Sequence, residues 1–312
     1  MKLSLRFTFV FVILFSTLFI CCKKENNDNV KETILKGNAN ILVDETLKPI
    51  IEDQIAVFEA EYGATINLIA KSEKEASRSF VSDSSTRVIV LPRQLNEVEL
   101  NYFNKLKIRP KVTNIATDAI AFIINKQNKD TLVSLVDVVN FIKGNTKNNI
   151  KGLVFDNPNS STVRYLIELA GVKTMERKEI YSMKNNEEVL KFVSENDGMI
   201  GVVGLNWLYQ PSAAIKNYIP KISVMSIKGI GKKEFVAPTQ NNIAEGTYPL
   251  SRSLFIINCQ GYSGLGMGFA SFVSGDIGQR IILKSGLLPV RVPHRQLLIR
   301  STINNQTKNE NE

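Results

Sequence analysis

A chain of 312 residues with one histidine and three cysteines has little material for histidine-based catalysis, zinc sites or a disulfide framework. Its formal net charge of +9 becomes +7 without Lys2 and Arg6 of the leader, and no basic run interleaved with aromatics accompanies it. That pattern excludes a nucleic-acid partner and leaves a mild bias toward anions.

Lys2 and Arg6 precede an apolar run, Phe7 to Ile20, broken by Thr8, Ser16 and Thr17. These are the charged and apolar regions of a secretory signal. The run is shorter than the ~20 apolar residues of a spanning helix. It ends in Leu18-Phe19-Ile20-Cys21-Cys22, and a cysteine directly after such a run resembles a bacterial lipobox, whose thiol is acylated and becomes the mature N-terminus. Cys21 has Leu18 three residues before it but bulky Ile20 adjacent; Cys22 has small Cys21 adjacent but Phe19 at the third position. The alternative is an uncleaved anchor, and either arrangement tethers the protein. The expectation is therefore a signal peptide over 1–21, lipid on Cys21 or Cys22, and a solvated tether over 22–37, rich in Lys, Asn, Glu and Asp.

Folded structure is predicted to begin with a strand at Ile41-Leu42-Val43. Leu47, Ile50, Ile51, Ile55, Phe58 and Tyr62 follow at helical spacing, with Pro49 in the first turn, where a missing N–H is harmless. Thr65 to Ala70 reads as a strand, Glu73 to Val81 as a polar helix, Arg87 to Leu91 as a strand and Glu97 to Leu106 as a helix. This alternation predicts an α/β layer with a largely parallel sheet. The pattern restarts with a strand at Ala119–Ile124 and a helix face from Leu132 through Ile142 to Gly144. Strands are expected at Gly152–Phe155, Met199–Val203, Lys221–Ile227 and Ser253–Ile257. Helices are expected around Val163–Ala170, over Glu187–Ser194, and in two final segments through Phe269–Val273 and Ile277–Ile282. Residues 301–312 read as a loose polar tail. Cys259, beside the apolar run Leu254–Ile257, reads as a buried inert thiol.

Several stretches carry a resemblance. Tyr248-Pro249-Leu250-Ser251-Arg252-Ser253-Leu254 is similar to a Tyr-Pro-(apolar)-Ser-Arg-Pro-Leu segment. Phe272 to Gln279, with Gly286-Leu287-Leu288-Pro289-Val290, is similar to a C-terminal helix and its following strand. Gly198-Met199-Ile200-Gly201-Val202-Val203-Gly204 is similar to a Gly-x-Ile-Gly-Tyr strand, and Pro92-Arg93-Gln94-Leu95 to a Ser-Arg-Pro-Leu turn. In this order, over about residues 40–292, they resemble the phosphate-binding receptors of the phosphate ABC importer (PstS-like), within the type 2 periplasmic-binding-protein superfamily. The resemblance implies a two-lobed α/β fold with mixed sheets flanked by helices and a ligand cleft between the lobes. Lobe one would comprise 38–117 and 238–300, and lobe two 118–237.

The same resemblance implies an oxyanion held by N–H groups and hydroxyls at helix starts, where orphan donors and the helix dipole favour negative charge. It assigns ligand contacts to Thr46 and Leu47 in the first loop, Ser72 in the second, Ser160, Ser161 and Thr162 in the third, and Arg164 just inside the following helix. Thr46 and the Ser160 cluster also read as plain helix caps, and Arg164 as a surface charge. Two positions depart from the family in opposite directions. Arg87 aligns where the family carries an acid, and Asp156 where it carries an arginine. A compensated swap across the cleft is expected from that pair, meeting directly or through a ligand, with Arg87 counted among the ligand contacts; the alternative is that the gapless count has slipped and both are surface charges. Ser161 replaces a glycine, and Lys71-Ser72-Glu73-Lys74-Glu75 replaces a Gly-rich loop.

The sequence carries no Gly-x-Ser-x-Gly elbow, no His-Glu-x-x-His helix and no Cys-x-x-Cys pair, and its histidine, His294, lies near the tail. A monomeric binding protein is expected, without catalysis, metal or cofactor. Its partners would be phosphate or a similar small anion, an ABC importer permease, and a membrane reached through the lipid. It would be periplasmic or on the cell surface. A receptor fold retired from phosphate transport, serving as a scaffold or binding another anion, is the alternative reading.

Overall fold

The computed structural model describes residues 32–145 and 150–292. Cys21, Cys22, His294 and the 301–312 tail lie outside the described residues. The first strand, β1 (Gly37–Asp44), buries Ile41, Leu42 and Val43 and pairs in parallel with β2 (Ala64–Lys71) along its whole length, Gly37 opposite Ala64. It starts four residues before Ile41 because ladder hydrogen bonds, rather than apolar side chains, carry the polar Gly37–Asn40. Thr33 N–H donates to the Lys36 carbonyl at 2.9 Å, so the expected tether gives way to ordered chain by Thr33.

Helix α1 (Lys48–Glu61) joins these strands with Pro49 in its first turn, and buries Ile50, Ile51, Ile55 and Phe58. Phe58 meets Phe269 and Phe272 edge-on, with ring centres 5.6 and 5.3 Å apart, the geometry favoured by the ring quadrupoles. Helix α2 (Glu73–Ser82), β3 (Val88–Leu91) and α3 (Glu97–Lys105) follow, α3 opened by a reciprocal capping box between Asn96 and Glu99. The long β4 (Lys111–Asn125) then leaves lobe one. Lobe two holds β5 (Leu132–Ser134), α4 (Leu135–Ile142), β6 (Gly152–Phe155), α5 (Ser161–Ala170), β7 (Ile180–Ser182), α6 (Asn186–Glu195), β8 (Met199–Gly204) and α7 (Asn206–Tyr209). The strands β9 (Ile222–Val224), β10 (Ser226–Lys228) and β11 (Phe235–Val236) precede α8 (Gln240–Ala244). Finally β12 (Ser251–Asn258), α9 (Leu265–Ser274), α10 (Asp276–Lys284) and β13 (Leu288–Pro289) complete lobe one.

The main sheet runs β2-β1-β3-β12-β4-β8-β6-β7, with β9 and β13 also on β4; β11, β10 and β5 form a second, small sheet. Within the α/β part of each lobe the strands are parallel, as β1 with β2 and β3, and β6 with β7 and β8. The crossing strands make the sheet mixed: β12 is antiparallel to β3 and β4, and β8 to β4. The largely parallel sheet read from the alternation is corrected there, because a chain that leaves a lobe and returns must run back.

At the hinge, β4 changes partner from β12 at Ala119 to β8 at Ile120. Ile120 N–H donates to the Leu250 carbonyl at 2.9 Å, and the buried Tyr248 hydroxyl donates to the Ile120 carbonyl at 2.8 Å. The Tyr-Pro-Leu-Ser-Arg motif thus ties the second crossing to the first at one residue. Gln279 fastens the C-terminal segment: its amide donates to the Ile115 and Val273 carbonyls, and its oxygen accepts from Arg291 N–H.

Two further elements differ from the expected ones. Leu132–Ser134 pairs with β10 as a strand, and the helix starts after Ser134, whose hydroxyl accepts from Val136 N–H. The run Lys221–Ile227 divides at Met225, β9 joining β4 and β10 joining β5.

Candidate functional site

The ends of β1, β6 and β8 converge at the hinge. Asp44 closes β1, and its buried carboxylate accepts from Thr46 N–H at 3.4 Å and from the Thr46 hydroxyl at 2.7 Å. Across the cleft, Ser160 caps α5 by accepting from Val163 N–H, and its hydroxyl lies 2.9 Å from that of Thr162. Thr162 donates to Asp156 at 2.9 Å. Thr46 Oγ1 and Ser161 Oγ, one from each lobe, are 3.0 Å apart. Gly204 permits this approach: a Cβ there would come within 2.9 Å of the Thr46 carbonyl oxygen, which accepts from Asn206 and Trp207 of lobe two.

Arg252 lies behind these hydroxyls and is buried. Its guanidinium donates to Ser161 Oγ at 2.7 Å, to Thr46 Oγ1 at 3.2 Å, and twice to Asp118 Oδ2, at 3.0 and 2.9 Å. Arg252 and Asp118 are register partners on β12 and β4. Such an embedded pair is tolerated because each charge has its counter-ion and hydrogen bonds.

Three more carboxyls crowd the same space, and burial raises each. Asp44 is pushed up to about 6 by burial and then by the charge of Glu73, against Arg252 and the Ser161 and Thr46 hydroxyls. Glu45 is pushed up to about 8 by burial and then by Asp156, against hydrogen bonds from Asn186. Asp156 is raised by burial in spite of the Ser160 and Thr162 hydroxyls. The half-buried Glu45 joins the lobes by accepting from Asn186, whose Nδ2 also reaches Asp156 at 3.3 Å. A second cluster sits further out. Glu73 Oε1 accepts from Arg93 Nε at 2.8 Å and from Arg164 Nε of lobe two at 2.7 Å, while Arg93 forks onto Glu99. Lys74 N–H donates to the Asn159 carbonyl, again across the cleft. Beside it lies a cavity of about 970 Å³ between α2 and α5.

A family model described as a PBP superfamily domain matches residues 31–276. The chain belongs to the PBP superfamily. Its two-lobed arrangement is the type 2 periplasmic-binding-protein fold. The phosphate-binding protein PstS of Pseudomonas aeruginosa is 23% identical over 288 residues, covering 83% of this chain and 85% of that one. A Clostridium perfringens protein solved with bound phosphate superposes with a TM-score of 0.66 at 18% identity, covering 82% of this chain and all of that one. An ABC-type phosphate transport receptor of Vibrio cholerae gives 0.60 at 17% identity, covering 81% and 100%.

Of the residues singled out in the sequence, the superfamily fold brings Thr46, Ser160, Ser161 and Thr162 together, with Asp156 among them. Arg164 reaches the cleft but is engaged by Glu73 and Glu168. Leu47 is a core residue, and the Ser72 hydroxyl donates to Glu75 at 2.6 Å at the start of α2.

Arg87 requires correction. It precedes β3, so about four residues of strand, roughly 13 Å, separate it from the cleft end of that strand. Its guanidinium lies 5.8 Å from the Phe103 ring centre, and its carbonyl accepts from Cys259 N–H. It does not face Asp156, and the compensated swap is withdrawn. The residue that the sequence reading passed over is Arg252, noted there only within the Tyr248-Pro249-Leu250-Ser251-Arg252 stretch. The signal was a charge directly before each of two predicted strands, Asp118 before Ala119–Ile124 and Arg252 before Ser253–Ile257, costly to bury unless paired. Cys259 is buried as expected, and burial pushes its thiol up to about 12.

Proposed function

We propose that this protein is an extracytoplasmic solute receptor that captures a small oxyanion, phosphate foremost, for an ABC importer. The observation that carries this reading is the convergence of Arg252 with Thr46 of lobe one and Ser161 of lobe two, beside the Ser160–Thr162 start of α5. A charged guanidinium and hydroxyls at a helix start are suited to an anion. The phosphate-binding relatives support the same ligand class. On this reading the protein works as a monomer with a permease partner, and catalyses nothing.

Calorimetric titration of the soluble domain with phosphate, sulfate and small dicarboxylates tests it. Ser160→Ala, Ser161→Ala and Thr162→Ala are each expected to weaken the bound anion by about 1.5–3 kcal/mol, the scale of a hydrogen bond to a charged group. Unchanged affinity in the Ser160/Thr162 double variant moves the site elsewhere.

A specific observation favours a second reading, a receptor fold that no longer takes phosphate. Thr46, Ser161 and Arg252 already satisfy one another, and the carboxyls of Asp44, Glu45 and Asp156 crowd the same seat. Absence of heat with every anion tested selects this reading.

Membrane attachment rests on the leader. Among the described residues no helix is long and apolar enough to cross a membrane, and an acylated Cys21 or Cys22 would anchor the chain on the periplasmic side or at the cell surface. Replacing both cysteines by Ser is expected to move the protein to the soluble fraction. Retention in the membrane with the leader intact sinks the lipid reading.

A further inference from the structure

The cavity beside Glu73 is much larger than a bare inorganic oxyanion needs. At about 970 Å³ it stands at the upper end of the roughly 300–1,000 Å³ of pockets that hold organic ligands. One wall is apolar: Phe155, Val163, Ile167, Met175 and Ile180 line it from lobe two. A five-atom phosphate gains nothing from that wall, whereas an organic body buries apolar surface against it. The rim carries Lys74, Arg78 and Lys173, which are exposed and have no ion-pair partner among the described residues. These cations suit an anionic head. Between rim and seat, Glu73 is 3% exposed, and its Oε2 has no hydrogen-bond partner among the described residues although Oε1 holds two arginines. A buried carboxylate oxygen without a donor is costly. Glu73 is one of the residues lining the cavity, and a ligand hydroxyl reaching Oε2 would supply that donor.

We propose that the cleft takes a hydroxyl-bearing phosphate monoester in preference to inorganic phosphate, with its organic part on the Phe155–Ile167 wall and a hydroxyl on Glu73. This deepens the oxyanion-receptor reading and rests on it.

The test is calorimetry on the soluble domain with three probes: inorganic phosphate, glycerol 3-phosphate and glucose 6-phosphate. At least one ester is expected to bind about tenfold more tightly than inorganic phosphate, a margin of about 1.4 kcal/mol. Ile167→Trp, which fills the apolar side, is expected to erase that margin and leave inorganic phosphate unchanged. Met175→Trp does the same from a loop position, should Ile167→Trp perturb folding in a thermal melt. Inorganic phosphate binding as tightly as both esters overturns the monoester assignment and leaves the oxyanion receptor standing. Equal losses for ester and phosphate in both Trp variants also overturn it. If none of the three probes binds, the receptor reading falls together with it.

Discussion

Arg252→Ala is expected to abolish measurable oxyanion binding and to lower unfolding free energy by about 3–5 kcal/mol, the cost of breaking a buried ion pair from one side. The variant leaves Asp118 fully buried beside Tyr248, without the guanidinium that supplies two hydrogen bonds to its Oδ2. It also removes the donor to Ser161 and Thr46, so both the hinge and the seat lose their cation. The double variant Arg252→Met with Asp118→Leu separates the two roles. Replacing both charges by apolar groups of similar volume removes the unpaired carboxylate, and such replacements are often neutral or stabilising. Urea unfolding is therefore expected to return most of the lost stability in the double variant, while calorimetry still finds no anion binding. If Arg252→Ala melts like the wild type, the pair does not hold the hinge. If the double variant binds phosphate with wild-type affinity, the oxyanion seat is not at Arg252.

Much of the fold was legible because apolar periodicity and burial coincide in this chain. Ile50, Ile51, Ile55 and Phe58 face the core on α1, and the helices through Leu166 and through Val189, Leu190 and Val193 were found the same way. What was misread depends on partners distant in sequence. Gly37–Asn40 are a strand because of β2, a pairing that leaves no apolar trace, and Leu132–Ser134 because of β10, where Leu132 equally fits the helical spacing of Leu135 and Val139. The hydroxyl cluster was legible through the order of motifs. Its electrostatics were not, because Asp118 and Arg252 are 134 residues apart and meet only through the β4–β12 register. Arg87 failed for the converse reason: a gapless count placed it by sequence, while strand direction puts it at the far end of β3 from the cleft.

The carboxyls at the seat give the protein a pH dependence whose sign follows from burial. In the fold Asp44 is raised to about 6 and Glu45 to about 8, from ordinary values of 3.8 and 4.5. The folded state therefore holds these protons more tightly than the unfolded chain. Below about pH 4 both states are protonated and the groups contribute no difference. As pH rises, the unfolded chain ionises first, and stability falls until the folded groups have also titrated, near pH 8. Asp44 alone accounts for a loss on the order of 3 kcal/mol, and half-buried Glu45, discounted for the water that reaches it, adds to that. Melting temperature is thus expected to decline from pH 5 to pH 8 and then level. Glu99 does not mask this, since hydrogen bonds from Arg93 lower it in spite of burial, and its stabilisation is lost only below the window as pH falls. Glu45→Gln, an uncharged mimic of the protonated side chain beside Asn186, is expected to flatten the decline between pH 6 and 8 and to stabilise the protein at pH 8. Anion affinity should move the same way, because ionising Asp44, Glu45 and Asp156 sets negative charge against the ligand. A melting temperature that climbs from pH 5 to 8, or a Glu45→Gln profile parallel to the wild type, rules out these carboxyls as the titrating groups.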